Sequence, residues 1–269
     1  MHILFIGYGK TSQRVAKQLF QQGHQITTIS RTAKPQDFAT HLIQDIHQLD
    51  LSQITPVDIV YVLLSPASST PEGYQATFVD AIPAMQKALQ AHPVKKVIVV
   101  SSTRVYGEQA GERIDDARMP KPIDAQGEIL RQMELLWQTA YPEQSIIIRP
   151  TGIYGASVAR MVKLAQQTST YPNIHYSNRI HIEDLARFLA HLIHVEHPES
   201  SYIVTNNQPI PLHEIIQWFQ QQLGLPELTL ESEQLSGKRI YASNMQQTDF
   251  ELQHSDCFED YSALLAKSQ

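Results

Sequence analysis

The chain has 269 residues with 21 basic and 27 acidic side chains, which gives a formal net charge of −6. Because the charges form no long block of one sign, this balance argues against a nucleic-acid-binding surface. The length suits one α/β core with a modest additional lobe.

The expected compartment follows from the cysteine content and the first residues. Cys257 is the single cysteine, so an internal disulfide is excluded and a reducing compartment is expected. The chain starts directly with a strand-like run rather than a signal peptide, and it lacks an apolar run of about 18 residues. We expect a cytoplasmic protein without a membrane segment. The His and Cys spacings predict no metal site, and nothing in the sequence specifies an oligomeric state.

Apolar runs alternate with helical spacing along the first part of the chain. The predicted strands span residues 2–6, 25–30, 58–64, 96–101 and 145–149. Nearly continuous apolar runs of this length are typical of parallel strands that are covered on both faces. The sequence therefore predicts an α/β fold with a Rossmann-like, doubly wound and mostly parallel sheet over residues 1–150.

The alternation of apolar runs with helical spacing becomes less regular after residue 150. Helices are predicted over residues 156–168, 182–195 and 211–223, with a strand at 202–204. We expect residues 151–269 to form a reduced substrate-binding lobe that is partly integrated with the first domain.

A glycine-rich turn joins the first strand to a helix. It consists of Gly7, Tyr8, Gly9, Lys10, Thr11 and Ser12. The first glycine permits a tight turn, the second lets the backbone approach a pyrophosphate, and the small Ser12 replaces a third, packing glycine. We assign all six residues to a dinucleotide whose pyrophosphate binds the helix N-terminus; the alternative is a tight turn without a ligand.

The end of the second strand indicates which dinucleotide is bound. The residues there are Ser30, Arg31 and Thr32, where an NAD-binding protein would carry an acidic residue. A guanidinium and two hydroxyls suit a 2′-phosphate, so NADP(H) is favoured and NAD(H) is the alternative. Leu64 and Ser65, at the end of the third predicted strand, are also assigned to the cofactor. Arg31 as an ordinary exposed cation is the competing interpretation.

Four segments carry a family resemblance. They are Ser101-Ser102-Thr103-Arg104-Val105-Tyr106-Gly107, Arg149-Pro-Thr-Gly-Ile-Tyr-Gly155, Arg179-Ile-His-Ile-Glu-Asp-Leu-Ala186 and Gly237-Lys-Arg-Ile. In this order they resemble the extended short-chain dehydrogenases/reductases, the NAD-dependent epimerase/dehydratase group. The glycine turn is closer to that of an atypical subgroup.

The resemblance implies a catalytic serine but not the rest of the catalytic set. It places the polarisation of a substrate oxygen on Ser102, whereas the Tyr-x-x-x-Lys pair of the family falls on Gln126 and Leu130. An amide is not a general acid, and losing a positioned acid costs about a hundred-fold to ten-thousand-fold in rate. Tyr106, Asp124 and Glu128 are candidate substitutes, although cleft shaping, helix capping and surface roles compete. Enzymatic activity is therefore left open.

The resemblance also directs Arg149, Tyr154 and Arg179 toward a substrate cleft, where they would hold a small anionic ligand. Surface arginines and a packing tyrosine are the alternative. The stretch from Gly155 to Asn178 is short compared with the insertion of nucleotide-sugar enzymes, and Thr103 and Arg104 replace the Asp-Glu pair of dehydratases. A full nucleotide-sugar pocket and dehydration are not expected.

Two functions agree with these features. The first is an NADP(H)-binding, atypical epimerase/dehydratase-like protein with altered redox or isomerase chemistry on a small polar substrate. The second is a catalytically inactive dinucleotide sensor or scaffold that regulates a protein partner.

Overall fold

The computed structural model describes residues 1–34 and 37–267. Its strands are β1 (His2–Ile6), β2 (Gln25–Ser30), β3 (Thr40–Ile43), β4 (Ile59–Val62), β5 (Lys96–Val100), β6 (Ala110–Ile114), β7 (Ser145–Pro150), β8 (Gly152–Tyr154), β9 (Thr170–Tyr171), β10 (Ile174–Ser177), β11 (Arg179–His181), β12 (Ser201–Val204), β13 (Ile210–Pro211), β14 (Thr229–Leu230) and β15 (Leu235–Ile240). Its α-helices are α1 (Lys10–Gln21), α2 (Pro71–Gln75), α3 (Ile82–Leu89), α4 (Ala125–Ala140), α5 (Ala159–Gln167), α6 (Ile182–His191), α7 (Leu212–Gln222), α8 (Ser243–Gln246) and α9 (Cys257–Ala266).

The main sheet has seven strands in the order β12-β7-β5-β4-β1-β2-β3. The pairings β1 with β2, β1 with β4, β2 with β3, β4 with β5 and β5 with β7 are all parallel. Every residue of β1 and β4 is buried, as expected for central strands whose two faces are both covered. The predicted Rossmann-like, mostly parallel α/β fold is confirmed.

The described chain divides into two compact units. Unit 1 comprises Met1–Gly107, Met119–Arg149 and Leu185–Tyr202, and unit 2 comprises Glu108–Arg118, Pro150–Asp184 and Ile203–Gln269. Most of α6 therefore lies in unit 1, although the sequence placed it in the C-terminal lobe. The Tyr61 hydroxyl donates a 2.7 Å hydrogen bond to the Leu189 carbonyl, which ties this helix to β4.

Unit 2 contains a four-stranded sheet in the order β13-β10-β15-β6 and two short pairs, β8 with β11 and β9 with β14. Its core consists of Tyr154, Val158, Ala165, Ile215, Ile216, Phe219, Leu228, Cys257 and Tyr261. This core joins α5, α7 and α9. No helix among the described residues is long and apolar enough to cross a membrane.

Candidate functional site

The glycine turn has a backbone that only glycine allows at its first position. Gly7 has a φ of +92°, and a Cβ atom there would overlap the carbonyl oxygen of Leu63. A Cβ atom on Gly9, in contrast, would meet no heavy atom within 4 Å, so the outer side of Gly9 is open. Gly9 caps α1 without a side-chain hydrogen bond. The first turn of α1 thus presents backbone N–H groups that suit a phosphate.

A cavity of about 390 Å³ lies in unit 1 beside this turn. Eight of the predicted cofactor residues line it: Gly7, Tyr8, Gly9, Ser30, Arg31, Thr32, Leu64 and Ser65. The other three, Lys10, Thr11 and Ser12, are outside its lining and lie in the first turn of α1. The Ser12 hydroxyl is buried without a hydrogen-bond partner among the described residues, which agrees with a packing position.

Sequence reasoning missed several residues of the cavity. Among them are Lys34, Asp45, His47 and Thr77. Asp45 accepts hydrogen bonds from the backbone N–H and the ring of His47, at 2.9 and 2.8 Å. The His47 backbone N–H is the largest cause of the lowered Asp45 pKa, and the bond to Asp45 raises the pKa of His47. The described cavity lining therefore contains two lysine or arginine cations, Arg31 and Lys34, together with one carboxylate that remains ionised at neutral pH.

Tyr8 is a buried part of the turn rather than a source of protons. Burial raises the pKa of its hydroxyl to about 12. A phenol with that pKa stays neutral at physiological pH and is a poor general acid.

The position that the resemblance assigns to a catalytic tyrosine is occupied by a fixed amide. The Gln126 side chain donates a 2.9 Å hydrogen bond to the Ser69 carbonyl and accepts one of 3.2 Å from Arg104. Arg104 also contacts both carboxylate oxygens of Asp124, at 2.9 and 3.1 Å. Asp124 in turn caps α4 by accepting the Gly127 N–H at 2.7 Å. Asp124 is thus engaged as a helix cap and an ion-pair partner.

Two further positions of the expected catalytic set, Leu130 and Glu128, lie on α4 itself, and Ser102 lies outside this helix. Leu130 is 3 % exposed and packs into the core from α4. The Ser102 hydroxyl accepts the backbone N–H of Arg104 at 3.2 Å. Glu128 lies on the exposed side of α4. Leu130 therefore offers no cation to a phenol at position 126, and the one cation that contacts this position among the described residues, Arg104, is shared with Asp124.

Tyr106 and Arg149 belong to a buried hydrogen-bond network of unit 1. Arg149 contacts both oxygens of Glu134, at 2.9 and 2.8 Å, and donates a 2.9 Å bond to the Tyr106 hydroxyl. Tyr106 is 1 % exposed and Glu134 is fully buried. Arg149 is therefore committed to an internal ion pair, and we propose neither Arg149 as an anion ligand nor Tyr106 as an acid.

Tyr154 and Arg179 lie in unit 2 and have different surroundings. The Tyr154 hydroxyl donates a 2.5 Å hydrogen bond to Asp260. Arg179 is 8 % exposed and donates to the hydroxyls of Tyr261 and Ser177, at 2.9 and 2.8 Å. Both of these partners are neutral, so within the described part of the chain no carboxylate in direct contact compensates the buried charge of Arg179.

Comparison with known proteins agrees with the fold. A family model described as NAD(P)H-binding matches residues 7–196. A Methylobacillus flagellatus structure classed with the NAD-dependent epimerases/dehydratases is 29% identical, covers 99% of this chain and 98% of its own, and superposes with a TM-score of 0.83.

Structures of lower identity share the fold. UDP-N-acetylglucosamine 4-epimerase from Methanobrevibacter ruminantium M1, in complex with UDP-N-acetylmuramic acid, is 15% identical with a TM-score of 0.80, covering 100% of this chain and 99% of its own. UDP-glucuronic acid 4-epimerase from Bacillus cereus, in complex with NAD, is 17% identical with a TM-score of 0.78, covering 99% of both chains. No curated protein sequence matches the chain. The chain belongs to the NAD(P)H-binding family and has the fold of the NAD-dependent epimerase/dehydratase proteins.

Proposed function

We propose that the cavity of unit 1 binds NADP(H) in preference to NAD(H). The observation that carries this proposal is the pairing of the open Gly9 turn with two cations, Arg31 and Lys34, in one cavity. The turn suits a pyrophosphate at the N-terminus of α1, while Arg31 suits the 2′-phosphate that distinguishes the two cofactors. Asp45 and Thr77 offer polar contacts to uncharged parts of the dinucleotide.

A thermal-shift titration tests this assignment. NADPH should raise the melting temperature at concentrations about ten-fold lower than NADH, since a charged hydrogen bond to phosphate contributes about 1.5 to 3 kcal/mol. The Arg31→Ala variant should respond equally to both cofactors. Lys17→Ala, which removes an exposed cation of α1 outside the cavity, is the matched control and should keep the difference. Equal responses of the unaltered protein would refute the 2′-phosphate assignment.

We further propose that the bound cofactor supports altered, slow redox chemistry on a small polar substrate. A reduced nicotinamide supplies hydride. In this chain Ser102 would polarise the accepting oxygen, while the Gln126 amide is not a general acid and Leu130 carries no charge. Water would then supply the proton at a low rate. Separately, we propose Arg179 as a ligand for an anion within unit 2, because none of its direct partners among the described residues is a carboxylate.

Restoring the acid pair tests the chemical part. NADPH oxidation is followed at saturating cofactor with a panel of small keto acids. The unaltered protein should turn over slowly, and Gln126→Tyr with Leu130→Lys should gain about a hundred-fold. Gln126→Phe with Leu130→Lys supplies the cation and a ring without the hydroxyl, and it should gain nothing. Fast turnover by the unaltered protein would contradict the proposal.

A non-catalytic dinucleotide sensor is the second candidate. It is favoured by the two hydrogen bonds that fix the Gln126 amide to Arg104 and to the Ser69 carbonyl. On this alternative NADPH binds with the same preference, no carbonyl is reduced by the unaltered protein, and NADPH changes the affinity for a protein partner. The keto-acid panel separates the two candidates because only the first predicts a measurable basal rate.

A further inference from the structure

Two histidines of unit 2 stack on each other beside a carboxylate. His181 ends β11, His254 precedes α9, and their ring centroids are 3.6 Å apart with an interplanar angle of 21°. His254 Nδ1 lies 2.6 Å from Asp260 Oδ1, and the Tyr154 hydroxyl donates to Asp260 Oδ2 at 2.5 Å. The stack therefore links the end of β11 to the C-terminal helix.

The hydrogen bonds of the stack determine where its protons lie. The backbone N–H of Glu183 donates to His181 Nδ1 at 3.3 Å, so a neutral His181 carries its proton on Nε2. The Asp260 carboxylate favours a proton on Nδ1 of His254. A second proton on His181 would have to occupy Nδ1, opposite the Glu183 N–H. It would also place a positive charge against the neighbouring imidazole ring.

The space around His181 gives it little room to adjust. A Cβ atom on Gly155 would overlap His181 Nε2, which shows how closely that backbone approaches the ring. The Tyr154 ring packs edge-on against His181, with centroids 5.1 Å apart. The His181 ring therefore cannot move away from His254 when it gains a second proton. Instead, His254 or the segment that carries it must move.

The charged groups facing His181 are His254 and three carboxylates, those of Glu183, Asp184 and Asp260. Burial, and then the proximity of His254, lowers the pKa of His181 below its usual 6.5, although the three carboxylates oppose this shift. The folded state thus binds fewer protons here than the unfolded chain as pH falls below about 6.5. Stability contributed by this region is present above that pH and is lost on acidification.

We propose that the stacked pair His181 and His254 is an acid-sensitive latch that holds α9 against the core of unit 2 and releases it when His181 is protonated. Asp184, which also faces His181, accepts the backbone N–H groups of Gln253 and His254. It therefore fixes the segment that leads to α9 next to the histidine stack. α9 carries Tyr261, whose hydroxyl accepts a bond from Arg179. Release of α9 would remove that bond. The latch does not depend on the proposed function.

Cys257 provides a built-in reporter of the latch. It is the only cysteine of the chain, it is fully buried, and it begins α9. Its labelling by 4,4′-dithiodipyridine, which reacts in mild acid, is measured against the unfolded chain at each pH. As pH falls from about 7.5 to about 5, the relative labelling rate of the unaltered protein should rise about ten-fold.

His181→Gln should abolish this rise, because an amide oxygen still accepts the Glu183 N–H but takes up no proton. His175→Gln is the matched control: His175 is another unit 2 histidine whose pKa is lowered, and it bonds to Ser236 instead of a second ring. It should keep the rise. If His181→Gln does not fold, His254→Gln replaces it and should reduce the rise by removing the neighbouring ring.

Three results would overturn the latch. The first is pH-independent labelling of the unaltered protein. The second is an undiminished rise in a folded His181→Gln or His254→Gln variant. The third is protection of Cys257 by micromolar Zn²⁺ that requires His254, since that result would make the cluster a metal site instead.

Discussion

Arg149 and Glu134 form a two-bond ion pair inside unit 1, with the guanidinium 4% and the carboxylate 0% exposed. Burial alone would lower the pKa of Arg149, but the Glu134 carboxylate more than offsets it and the pKa is raised. The pair joins β7 to α4, the helix that carries Gln126. Glu134 also pairs with Arg131 at 2.9 Å, whereas the buried Arg149 charge has Glu134 as its counter-ion and depends on it.

Removing the carboxylate should therefore destabilise the fold strongly. Glu134→Gln is expected to lower the free energy of unfolding by about 3 kcal/mol, since it leaves the Arg149 charge buried without its counter-ion. Urea denaturation measures the loss. Glu128→Gln, on the exposed side of the same helix, should change stability by less than about 0.5 kcal/mol. Similar losses for the two variants would contradict the assignment of Arg149 to a buried ion pair.

Lys96 should stabilise the end of α6. Its Nζ donates to the carbonyls of Leu192, Ile193 and Val195, at 3.1, 3.1 and 2.7 Å. Lys96→Met should lower the unfolding free energy by about 1 to 2 kcal/mol, because these carbonyls lose a charged donor near a helix C-terminus.

Its neighbour Lys95 is the comparison. Lys95 forms a surface ion pair with Asp58, with 68% of the lysine side chain exposed. Exposed pairs of this kind contribute at most about 1 kcal/mol, so Lys95→Met should cost less than Lys96→Met in the same denaturation experiment. A larger stability loss for Lys95→Met than for Lys96→Met would show that Lys96 does not stabilise the end of α6.

The two glycines of the turn should respond differently to the same methyl group. Gly7→Ala should lower stability by about 2 kcal/mol or more, because of the positive φ and the overlap with the Leu63 carbonyl. Gly9→Ala should cost less than about 1 kcal/mol, since Gly9 has an ordinary φ of −89° and open space beside it.

Cofactor affinity should nevertheless fall for Gly9→Ala, by about ten-fold or more, because its methyl group would enter the space expected for the pyrophosphate. Denaturation and NADPH titration of this one variant measure the two effects separately. Unchanged NADPH affinity in folded Gly9→Ala would place the pyrophosphate away from the turn.

The central sheet was predictable because its strands are buried on both faces. The apolar runs gave β1, β2, β5 and β7 nearly residue by residue. The edge strand β3 was missed, since Thr40–Ile43 is partly exposed and has no such run. The helix predicted over residues 182–195 ends at His191, and carbonyls that follow it, such as that of Leu192, bond to Lys96.

The site was predictable where its residues are adjacent in sequence. The glycine turn and Arg31 come directly after predicted strands. Asp45 and His47 line the cavity just after β3, a strand that the sequence did not predict. The stack of His181 on His254 joins residues that are 73 positions apart (254 minus 181), and no periodic pattern connects them. Long-range contacts of this kind depend on packing in unit 2, which the sequence pattern did not specify.

Calorimetric titration of the unaltered protein with NADPH, and separately with NADH, tests the central claim most directly. We predict one NADPH per chain, bound about ten-fold or more tightly than NADH, because Arg31 meets a phosphate that only NADPH carries. Absence of binding by either cofactor, or NADH binding as tightly as NADPH, would contradict the assignment of this cavity to NADP(H).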